Sequence, residues 1–407
     1  MNTEKISLVG LGKLGLPLLL TFAKNGQKII GIDVDKQKIN TLRENKTPFF
    51  EPQLDDYLTL GSKNLELYDD FDNIINNTDV AIILVNTPSN EYGEFSNDYI
   101  YNAVDELSIR LKDSNKEDFL FIISSTVMPG SHIDIIERIE NQSGRKLNNG
   151  FGLVYIPDLV ALGSVIKDFE NPDLIIMGES DEKYGTIAHD IYSTILKNNP
   201  PVVRMSLIES EITKVSLNAY ITMKISFANF IGNIADKYEC NPHNITKALG
   251  HDRRISPYYV NSGLAFGGTC FPRDTWAFIK MSEKIGLDAL HIKSTQTINE
   301  NQNNLLFDKL IPHKGLKIGV LGLSFKPKTA VINESPGYIL YQKLKENDYD
   351  VVGYDPLVET EFFGEDSLGE FINHCEVIVL THNDKSIFND KIDLTNKTII
   401  NPWGLKY

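Results

Sequence analysis

A strand pattern, a glycine-rich turn and an apolar helix open the chain in that order. Residues 5–9 have the composition of a buried strand, and Gly10-Leu11-Gly12-Lys13-Leu14-Gly15 follows directly. An apolar helical pattern runs to Gly26, and a second strand pattern over residues 28–33 ends in Asp33. Glycines in such a turn permit a tight bend and close approach of a pyrophosphate, whose charge the helix N-terminus stabilises. The arrangement predicts a dinucleotide-binding βαβ unit; a purely structural glycine turn is the alternative.

Two later strand patterns end in turns rich in hydroxyl groups. Residues 80–85 lead to Thr87, and residues 119–123 lead to Thr126. Ligands bind beyond the carboxyl ends of strands in an open parallel sheet, so both threonines are candidates for contacts to a cofactor or a reaction centre. As isolated residues they are more often ordinary helix caps.

The acid at position 33 bears on the choice of dinucleotide. A carboxylate there can bind ribose hydroxyls and repels a 2′-phosphate, which favours NAD over NADP. The predicted cofactor-binding residues are Gly10, Gly12, Lys13, Leu14, Gly15, Asp33, Lys38, Thr87 and Thr126.

The last part of the chain repeats the pattern of the first. Residues 317–324 echo residues 5–12, and the strand pattern ending in Asp355 echoes the one ending in Asp33. Ser324 and Pro327 stand where the first turn has Gly12 and Gly15, so the second turn is not expected to accept a dinucleotide in the same manner. It offers Lys326 and Lys328 instead, which suit a phosphate-bearing substrate.

Between the two repeats the chain first extends the sheet and then becomes helical. Apolar runs at 153–156 and 174–177 extend the first sheet, and a linker at 198–201 ends in two prolines. From Ser206, which has capping-box spacing to Glu209, no proline interrupts the chain until Pro242, so we expect a helix of about thirty residues. We predict an α/β protein with two Rossmann-like doubly wound domains (1–201 and 311–407), joined by a long central helix and a helical domain (202–310).

Lys214 and Asn218 lie four residues apart on this predicted helix. Residues at that spacing share a helix face and could address one ligand together. A solvated helix surface is the alternative, and from spacing alone it is the more frequent one.

Cys270 follows Gly267-Gly268-Thr269 and precedes Asp274. Glycines let the backbone approach a ligand closely, and a thiol there can act as a nucleophile once its proton is removed. Taken alone, the pattern also fits a turn with an inert, half-buried thiol. The chain has three cysteines, which are far apart and form neither a metal-binding pattern nor a disulfide framework.

The length and the net charge of the chain exclude some classes of protein. The chain has 407 residues, too many for one ordinary core, and a net charge of −15 argues against nucleic-acid or anionic-membrane partners. No apolar run reaches membrane-spanning length and no metal ligand set is visible, so we expect a cytoplasmic protein with no metal. A small anionic ligand is compatible with this charge, because it needs only local cations and backbone N–H groups.

The full set of motifs resembles the UDP-glucose/GDP-mannose dehydrogenase family over essentially the whole chain. The matching segments are Gly10 to Gly15, Asp33, Phe50-Glu51-Pro52, Thr87-Pro88, Ser125-Thr126-Val127, Lys167-Asp168, Asn171-Pro172-Asp173, Glu211 to Lys214, Asn218, the Cys270 loop and Phe325-Lys326. These enzymes oxidise the C6 alcohol of a nucleotide sugar to a carboxylate with two NAD. The resemblance implies an NAD-binding first domain, a central dimerisation domain and a nucleotide-sugar-binding last domain.

The resemblance also implies roles for single residues. Cys270 looks like the thiolate that captures the aldehyde as a thiohemiacetal, which is oxidised to a thioester and then hydrolysed. Lys214 and Asn218 match residues that stabilise developing oxyanions, and Asp274 and Thr126 match residues that hold a catalytic water. Asp158 matches a carboxylate acting in thioester hydrolysis. Substrate binding is implied for Lys214, Asn218, Arg254, Phe266, Gly267, Phe325 and Lys326, with Arg254 matching an arginine that crosses a dimer interface.

Four positions depart from the family pattern. Asp158 replaces a glutamate, and Leu162 stands where a second carboxylate is usual. Asn333 precedes Glu334-Ser335 where an arginine is common, and Asn401-Pro402-Trp403 replaces an Asp-Gly-Arg pattern. Leucine can neither donate nor accept a hydrogen bond, and asparagine cannot replace a cation. These changes leave the sugar and the nucleotide open.

The resemblance therefore implies an NAD-dependent nucleotide-sugar 6-dehydrogenase, most similar to those acting on UDP-sugars such as UDP-glucose, in polysaccharide precursor synthesis. The enzyme alternatives are GDP-mannose and a UDP-N-acetylhexosamine. A catalytically weak nucleotide-sugar-binding protein is the alternative from another class. We expect a homodimer formed through the central helix.

Overall fold

The computed structural model describes residues 5–404 except 73 and 384–393. The first group of elements is β1 (Ile6–Val9), α1 (Gly15–Lys24), β2 (Ile29–Ile32), α2 (Lys36–Arg43), α3 (Leu54–Gly61), β3 (Leu65–Tyr68), α4 (Ile74–Asn77), β4 (Val80–Ile83), α5 (Asp98–Lys112), β5 (Leu120–Ile123), α6 (Ser131–Ser143), β6 (Lys146–Leu147), β7 (Gly150–Tyr155), α7 (Val165–Glu170), β8 (Ile175–Glu179), α8 (Glu182–Ser193) and β9 (Val202–Met205). The second group is α9 (Leu207–Lys237), α10 (Pro242–His251), α11 (Phe271–Lys284), α12 (Leu290–Asp308), β10 (Ile318–Leu321), α13 (Pro336–Glu346), β11 (Val351–Asp355), β12 (Phe362–Phe363), α14 (Leu368–His374), β13 (Val377–Leu380) and β14 (Thr398–Ile400).

The first sheet has the strand order of a doubly wound fold. The order is β3-β2-β1-β4-β5-β7-β8-β9, with β6 paired to β7, so the chain reverses direction across the sheet between β1 and β4. Strands β3 to β7 along this path are parallel, whereas β8 runs antiparallel to β7. The core strands are apolar and buried on both faces, as parallel strands covered by helices require. The topological switch between β1 and β4 lies next to the glycine-rich turn, where ligands bind in such folds.

The second sheet repeats this order with fewer strands. Among the described residues the order is β12-β11-β10-β13-β14, and all four pairings are parallel. Ile318 of β10 is in register with Val351 on one side and Val377 on the other, just as Ile6 of β1 is with Ile29 and Val80. The predicted internal repeat is therefore confirmed.

The long helix is α9, which has 31 residues against a prediction of about thirty. At its start the Glu209 carboxylate accepts hydrogen bonds from the Ser206 backbone N–H (2.8 Å) and hydroxyl (2.6 Å), the reciprocal half of a capping box. The chain divides inside α9 into two compact units, Met1–Val215 and Ser216–Tyr407. The predicted fold class, two Rossmann-like sheets with a long helix between them in the chain, is confirmed.

In the part of the chain that the structure describes, every helix is too short or too polar to cross a lipid bilayer.

Candidate active site

The glycines of the first turn have separate structural tasks. Gly10 has φ +98°, and a Cβ there would collide with the Leu84 carbonyl oxygen. A Cβ on Gly15 would collide with the Gly10 carbonyl, so this glycine lets α1 start directly against β1. A Cβ on Gly12 would meet nothing within 4 Å. Gly12 thus faces open space beside the N-terminus of α1, which fits the approach of a pyrophosphate.

Asp33 holds this turn as well as ending β2. Its Oδ2 accepts hydrogen bonds from the Leu11 backbone N–H (2.8 Å) and the Lys38 ammonium (2.6 Å), and its Oδ1 accepts from the Asp35 N–H (2.9 Å). Asp33 is 9% exposed. The structure therefore brings Asp33 and Lys38 together beside the turn, and the partial neutralisation of Asp33 by Lys38 could not be read from the sequence. Lys13 is exposed, and Leu14 is half-buried.

Replacing Asp33 by asparagine is expected to raise the preference for NADP over NAD by roughly 10- to 100-fold, because the repulsion of a 2′-phosphate disappears and Lys38 loses its anionic partner. The ratio of kcat/KM for the two cofactors measures this. The double variant Asp33→Asn, Lys38→Ala should lose most of the gain. An unchanged ratio in the single variant would show that Asp33 does not select the cofactor.

The turns after β4 and β5 are tied to each other. The Ser125 hydroxyl donates to the Val85 carbonyl and accepts from the Val85 N–H, both at 2.8 Å. Thr87 is buried and Thr126 is half-buried. The two predicted threonines thus lie on neighbouring, mutually fixed turns at the carboxyl edge of the first sheet.

Asp158 lies in the loop after β7 and contacts the helix that carries Lys214. The Lys214 ammonium donates to the Asp158 backbone carbonyl at 2.5 Å. Asp158 is half-buried as a residue, but its Oδ2 atom is enclosed and has no hydrogen-bond partner among the described residues. Burial raises the pKa of Asp158 from its ordinary 3.8 to about 7, although the Lys214 charge opposes this. A carboxyl group with that pKa can gain or lose a proton near neutrality.

Two acids that sequence reasoning left without a role shape the Asp158 loop. Buried Glu51 accepts from the backbone N–H groups of Gly163 and Val165, both at 2.9 Å. Asp168 accepts from the Ala161 N–H at 3.0 Å. Leu162, the predicted departure, packs against the hydrophobic core. The only sequence signal for these acids was their presence in the segments resembling the family.

In the second unit, Cys270 occupies the N-cap position of α11, without a side-chain capping hydrogen bond, and is exposed. The Thr269 hydroxyl lies 3.6 Å from its sulfur. Backbone N–H groups in the first turn of a helix lack partners within the helix and favour negative charge close by. Cys375, by contrast, is buried, and burial raises the pKa of its thiol to about 12. Cys270 is therefore in the better position to react.

Asp274 lies in the first turn of α11, one turn after Cys270. It is 1% exposed. The Asn218 amide donates to its Oδ2 at 2.6 Å, and the Arg273 guanidinium lies 3.1 Å from its Oδ1. The structure thus brings Asn218 and Asp274 together. Asn218 also lies four residues after Lys214 along α9.

The glycines before Cys270 are pressed against the loop that follows β10. A Cβ on Gly267 would collide with the Glu334 carbonyl, and Gly268, with φ +86°, has no room for a Cβ beside the Phe325 ring. The Gly268 N–H donates to the Asn333 carbonyl at 2.9 Å. The departing residue Asn333 therefore contributes its backbone to the Cys270 loop.

Side-chain amides hold the chain that leads to Cys270. Buried Asn299 of α12 accepts from the Phe266 N–H (2.7 Å) and donates to its carbonyl (3.0 Å). Asn229 of α9 does the same for the Gly263 N–H and the Leu264 carbonyl, both at 2.8 Å. These backbone groups have no strand partner, so the amides satisfy them. Sequence reasoning missed both asparagines, whose only signal was a polar residue on a helix.

The glycine-rich turn of the second sheet differs from the expected correspondence. Gly322, with φ +105°, occupies the place of Gly10. A Cβ on Gly337 would collide with the Gly322 carbonyl, so Gly337, and not Pro327, takes the structural place of Gly15. The correspondence with Pro327 was wrong because a longer connection, residues 322–335, lies between β10 and α13.

That connection is anchored by the acid at the end of β11. Asp355 is 1% exposed and accepts from the N–H groups of Leu323 and Ser324 at 2.9 Å and from the Ser324 hydroxyl at 2.8 Å. Lys326 follows Phe325 in the chain, and its ammonium lies 5.6 Å from the centre of the Phe325 ring. The Phe325 ring is thus brought against Gly268 of the Cys270 loop, and Lys326 lies next to Phe325.

Two further positions named in the sequence analysis are Arg254 and Trp403. Arg254 is exposed and pairs with Asp252 at 2.6 Å. The Trp403 ring stacks on Gly263, and its indole N–H donates to the Thr381 carbonyl at 3.2 Å. The position of the missing family arginine is thus filled by a packed aromatic ring.

Family models match the chain in three consecutive segments. They are described as the NAD binding domain (residues 4–196), the central domain (208–301) and the UDP binding domain (319–402) of the UDP-glucose/GDP-mannose dehydrogenase family.

Individual members of this family are similar to the chain over most of its length. The chain is 31% identical to UDP-glucose 6-dehydrogenase of Haloferax volcanii, covering 87% of this chain and 83% of that protein. It is 30% identical to GDP-mannose 6-dehydrogenase of Pseudomonas aeruginosa, and the match covers 99% of this chain and 95% of that protein. A solved structure of a UDP-glucose dehydrogenase from Pyrobaculum islandicum matches this chain with a TM-score of 0.89 at 27% identity. The match covers 100% of this chain and 95% of that one. The chain therefore belongs to the UDP-glucose/GDP-mannose dehydrogenase family of NAD-dependent nucleotide-sugar dehydrogenases.

Proposed function

We propose that this protein oxidises the C6 alcohol of a UDP-sugar, such as UDP-glucose, to a carboxylate through a covalent intermediate on Cys270. The observation that carries the proposal is the exposed thiol at the N-terminus of α11, one turn before an Asp274 carboxylate held by Asn218. A binding module needs neither the thiol nor the buried carboxylate. The reaction would supply a uronic acid for polysaccharide precursors.

NAD accepts a hydride in each of the two oxidation steps when it is bound. The residues that suit it are the open turn at Gly12, Asp33 with Lys38, and the turns of Thr87 and Thr126. In this proposal the protein holds the cofactor at the carboxyl edge of the first sheet and excludes NADP through Asp33.

Cys270 is the proposed nucleophile. Its sulfur adds to the carbonyl carbon of the aldehyde, a C–S bond forms, and the carbonyl oxygen takes up the proton, giving a thiohemiacetal. Oxidation to the thioester and attack of water on its carbonyl carbon then release the acid and return the thiol. Covalent capture retains the aldehyde between the two oxidations.

Polar groups around the reacting carbonyl complete the proposal. Lys214 and Asn218 donate hydrogen bonds to oxygens that become negative in the transition states. Asp274 and Thr126 hold the hydrolytic water, and Asp158 accepts its proton. The pKa of about 7 at Asp158 supports this assignment, because such a group can act as a base near neutral pH.

The last domain is proposed to bind the nucleotide sugar. Support comes from the match of residues 319–402 to a UDP binding domain and from the Phe325 ring, which packs against Gly268 and has the Lys326 ammonium near it. The relatives include enzymes named for UDP-glucose and GDP-mannose at nearly equal identity. GDP-mannose is therefore the first alternative substrate, and a UDP-N-acetylhexosamine is the second.

A panel of nucleotide sugars tests the proposal. NADH formation with UDP-glucose, UDP-N-acetylglucosamine, UDP-N-acetylmannosamine and GDP-mannose is measured at 340 nm, and products are identified by mass. We expect two NADH per molecule of acid from a UDP-sugar. Tight binding of one sugar without NADH formation from any would instead support the binding-protein alternative.

We further propose a cytoplasmic homodimer formed through the central helical domain, within the three-domain division 1–201, 202–310 and 311–407. Support comes from large apolar side chains exposed along one face of α9, spaced by three, four and seven residues. They are Tyr220, Phe227, Phe230 and Ile234. Exposed Arg254 is proposed to reach the substrate of the partner.

Replacing Phe227 by glutamate should convert this dimer to a monomer, because a charge would be buried in an apolar interface. Light scattering coupled to size-exclusion chromatography measures the mass. Tyr99→Glu is the matched control, since Tyr99 and Phe227 are both 55% exposed but Tyr99 lies on α5. A wild-type protein with the mass of one chain would contradict the dimer.

A further inference from the structure

Helix α6 has no capping side chain of its own. It begins after Gly130, which has φ +97° and no side chain to accept the first backbone N–H groups. A carboxylate from a distant part of the chain takes that place. Glu211 of α9 accepts from the Gly130 N–H at 2.7 Å, the His132 N–H at 2.9 Å and lies 2.9 Å from the His132 Nδ1.

This carboxylate is enclosed and well satisfied. Glu211 is 1% exposed, and both of its oxygens have donors. The N-terminus of a helix after a strand is the position at which doubly wound folds often bind an anionic ligand. Here the Glu211 carboxylate fills that position and links the N-terminus of α6 to α9 within the first unit. This contact of Glu211 with Gly130 and His132 is called the joint.

The joint connects two residues of the proposed chemistry. Thr126 lies four residues before Gly130, in the turn that enters α6. Lys214 lies three residues after Glu211, on the same side of α9. A shift of α9 against this turn would therefore move Lys214 relative to Thr126.

We propose that Glu211 is a positioning residue that sets the distance between the Lys214 ammonium and the Thr126 turn. It acts through α9 and through the N-terminus of α6, and His132 completes its set of donors. The inference rests on the proposed function, which assigns Lys214 and Thr126 to the reaction. Errors of about 1 Å in such placement can reduce a rate by about 100-fold.

The test is Glu211→Gln in the full-length enzyme. The amide NH₂ cannot accept a hydrogen bond, so at least one of the donors at Gly130 and His132 loses its partner. We expect kcat to fall about 10- to 100-fold. Dissociation constants for NAD and for the nucleotide sugar should stay within about threefold, because Glu211 binds neither in this proposal.

Glu170→Gln is the matched control for a merely structural effect. Glu170 is 3% exposed and bound by Tyr57 at 2.8 Å and Lys197 at 2.5 Å, with no part in the proposed chemistry. The Glu170→Gln variant should have a lower thermal stability than the wild type, but its kcat should be unchanged. His132→Leu removes one side-chain donor, so it gives a second, milder variant, expected to lose about three- to tenfold in kcat.

The outcomes separate this inference from the proposed function. A wild-type enzyme that turns over, with Glu211→Gln and His132→Leu equal to it, would show that Glu211 is only structural and leave the proposed function intact. Equal losses of kcat in Glu211→Gln and Glu170→Gln would also overturn the inference. A wild-type protein that makes no NADH refutes the proposed function first, and the inference falls with it.

Discussion

Replacing Cys270 by serine is expected to lower the rate of acid formation by at least ~1,000-fold. A serine hydroxyl is a far weaker nucleophile than a thiol at neutral pH, because it stays protonated unless a base removes its proton. Acid formation is measured by mass spectrometry of the product together with the NADH yield. Binding of NAD and of the nucleotide sugar should persist, since neither requires the thiol.

Cys240→Ser is the matched control for this change. Cys240 and Cys270 are both exposed and both lie in the second unit, but Cys240 lies between α9 and α10, two residues before Pro242. Its replacement should leave the rate unchanged. Full acid production by Cys270→Ser would refute the nucleophile.

Replacing Asp158 by asparagine is expected to slow hydrolysis of the thioester by about 100- to 10,000-fold, the usual contribution of a general base. Oxidation to the thioester should continue, so a covalent adduct on Cys270 should accumulate. Intact-mass measurement during turnover detects it. Asp113→Asn, at an exposed carboxylate after α5, serves as the control. Absence of both an adduct and a rate loss would remove Asp158 from the mechanism.

The pKa of Asp158 also predicts a pH profile. Below about pH 7 the group is protonated and cannot accept a proton, so kcat of the wild type should rise as pH increases through about 7. In Asp158→Asn that limb of the profile should vanish, leaving a low and flatter rate. A wild-type rate that is constant between pH 5.5 and 8.5 would contradict this role.

The same group makes stability depend on pH. Its folded-state pKa is raised above the ordinary 3.8, so the folded state binds the proton more tightly and loses stability as pH rises from about 4 through 7. The shift corresponds to about 4 kcal/mol at most, and partial exposure of the residue reduces this to about 1–3 kcal/mol. Asp158→Asn should therefore have the higher melting temperature at pH 8.5 but little advantage at pH 4.5.

Local patterns predicted much of the fold. The strand at β1, the turn of Gly10 to Gly15 and the length of α9 follow from apolar period, glycine placement and the absence of proline over short stretches. The second sheet was predictable because its segments repeat those of the first. The correspondence of Pro327 with Gly15 was wrong, because adjacency in sequence does not reveal a longer connection.

Partners distant in sequence were not predictable. Glu51 holds a loop more than 110 residues away, and Glu211 holds the start of α6 about 80 residues away. Their neighbours in the sequence give no sign of these contacts, since a glutamate on a helix or in a loop is ordinarily solvated. Lys38 on Asp33 is closer in sequence, yet its orientation depends on how α2 follows β2.

The sequence by itself determined the two nucleotide-binding-type sheets, the helix between them and the set of residues that resemble the family, because these depend on local composition and order. Only the tertiary structure decided the environment of those residues. Burial gives Asp158 a pKa near 7, buried amides hold the chain before Cys270, and the joint at Glu211 connects α9 to α6. Burial and hydrogen-bond partners arise when distant segments pack together, and they set the proton affinity and placement that the chemistry requires.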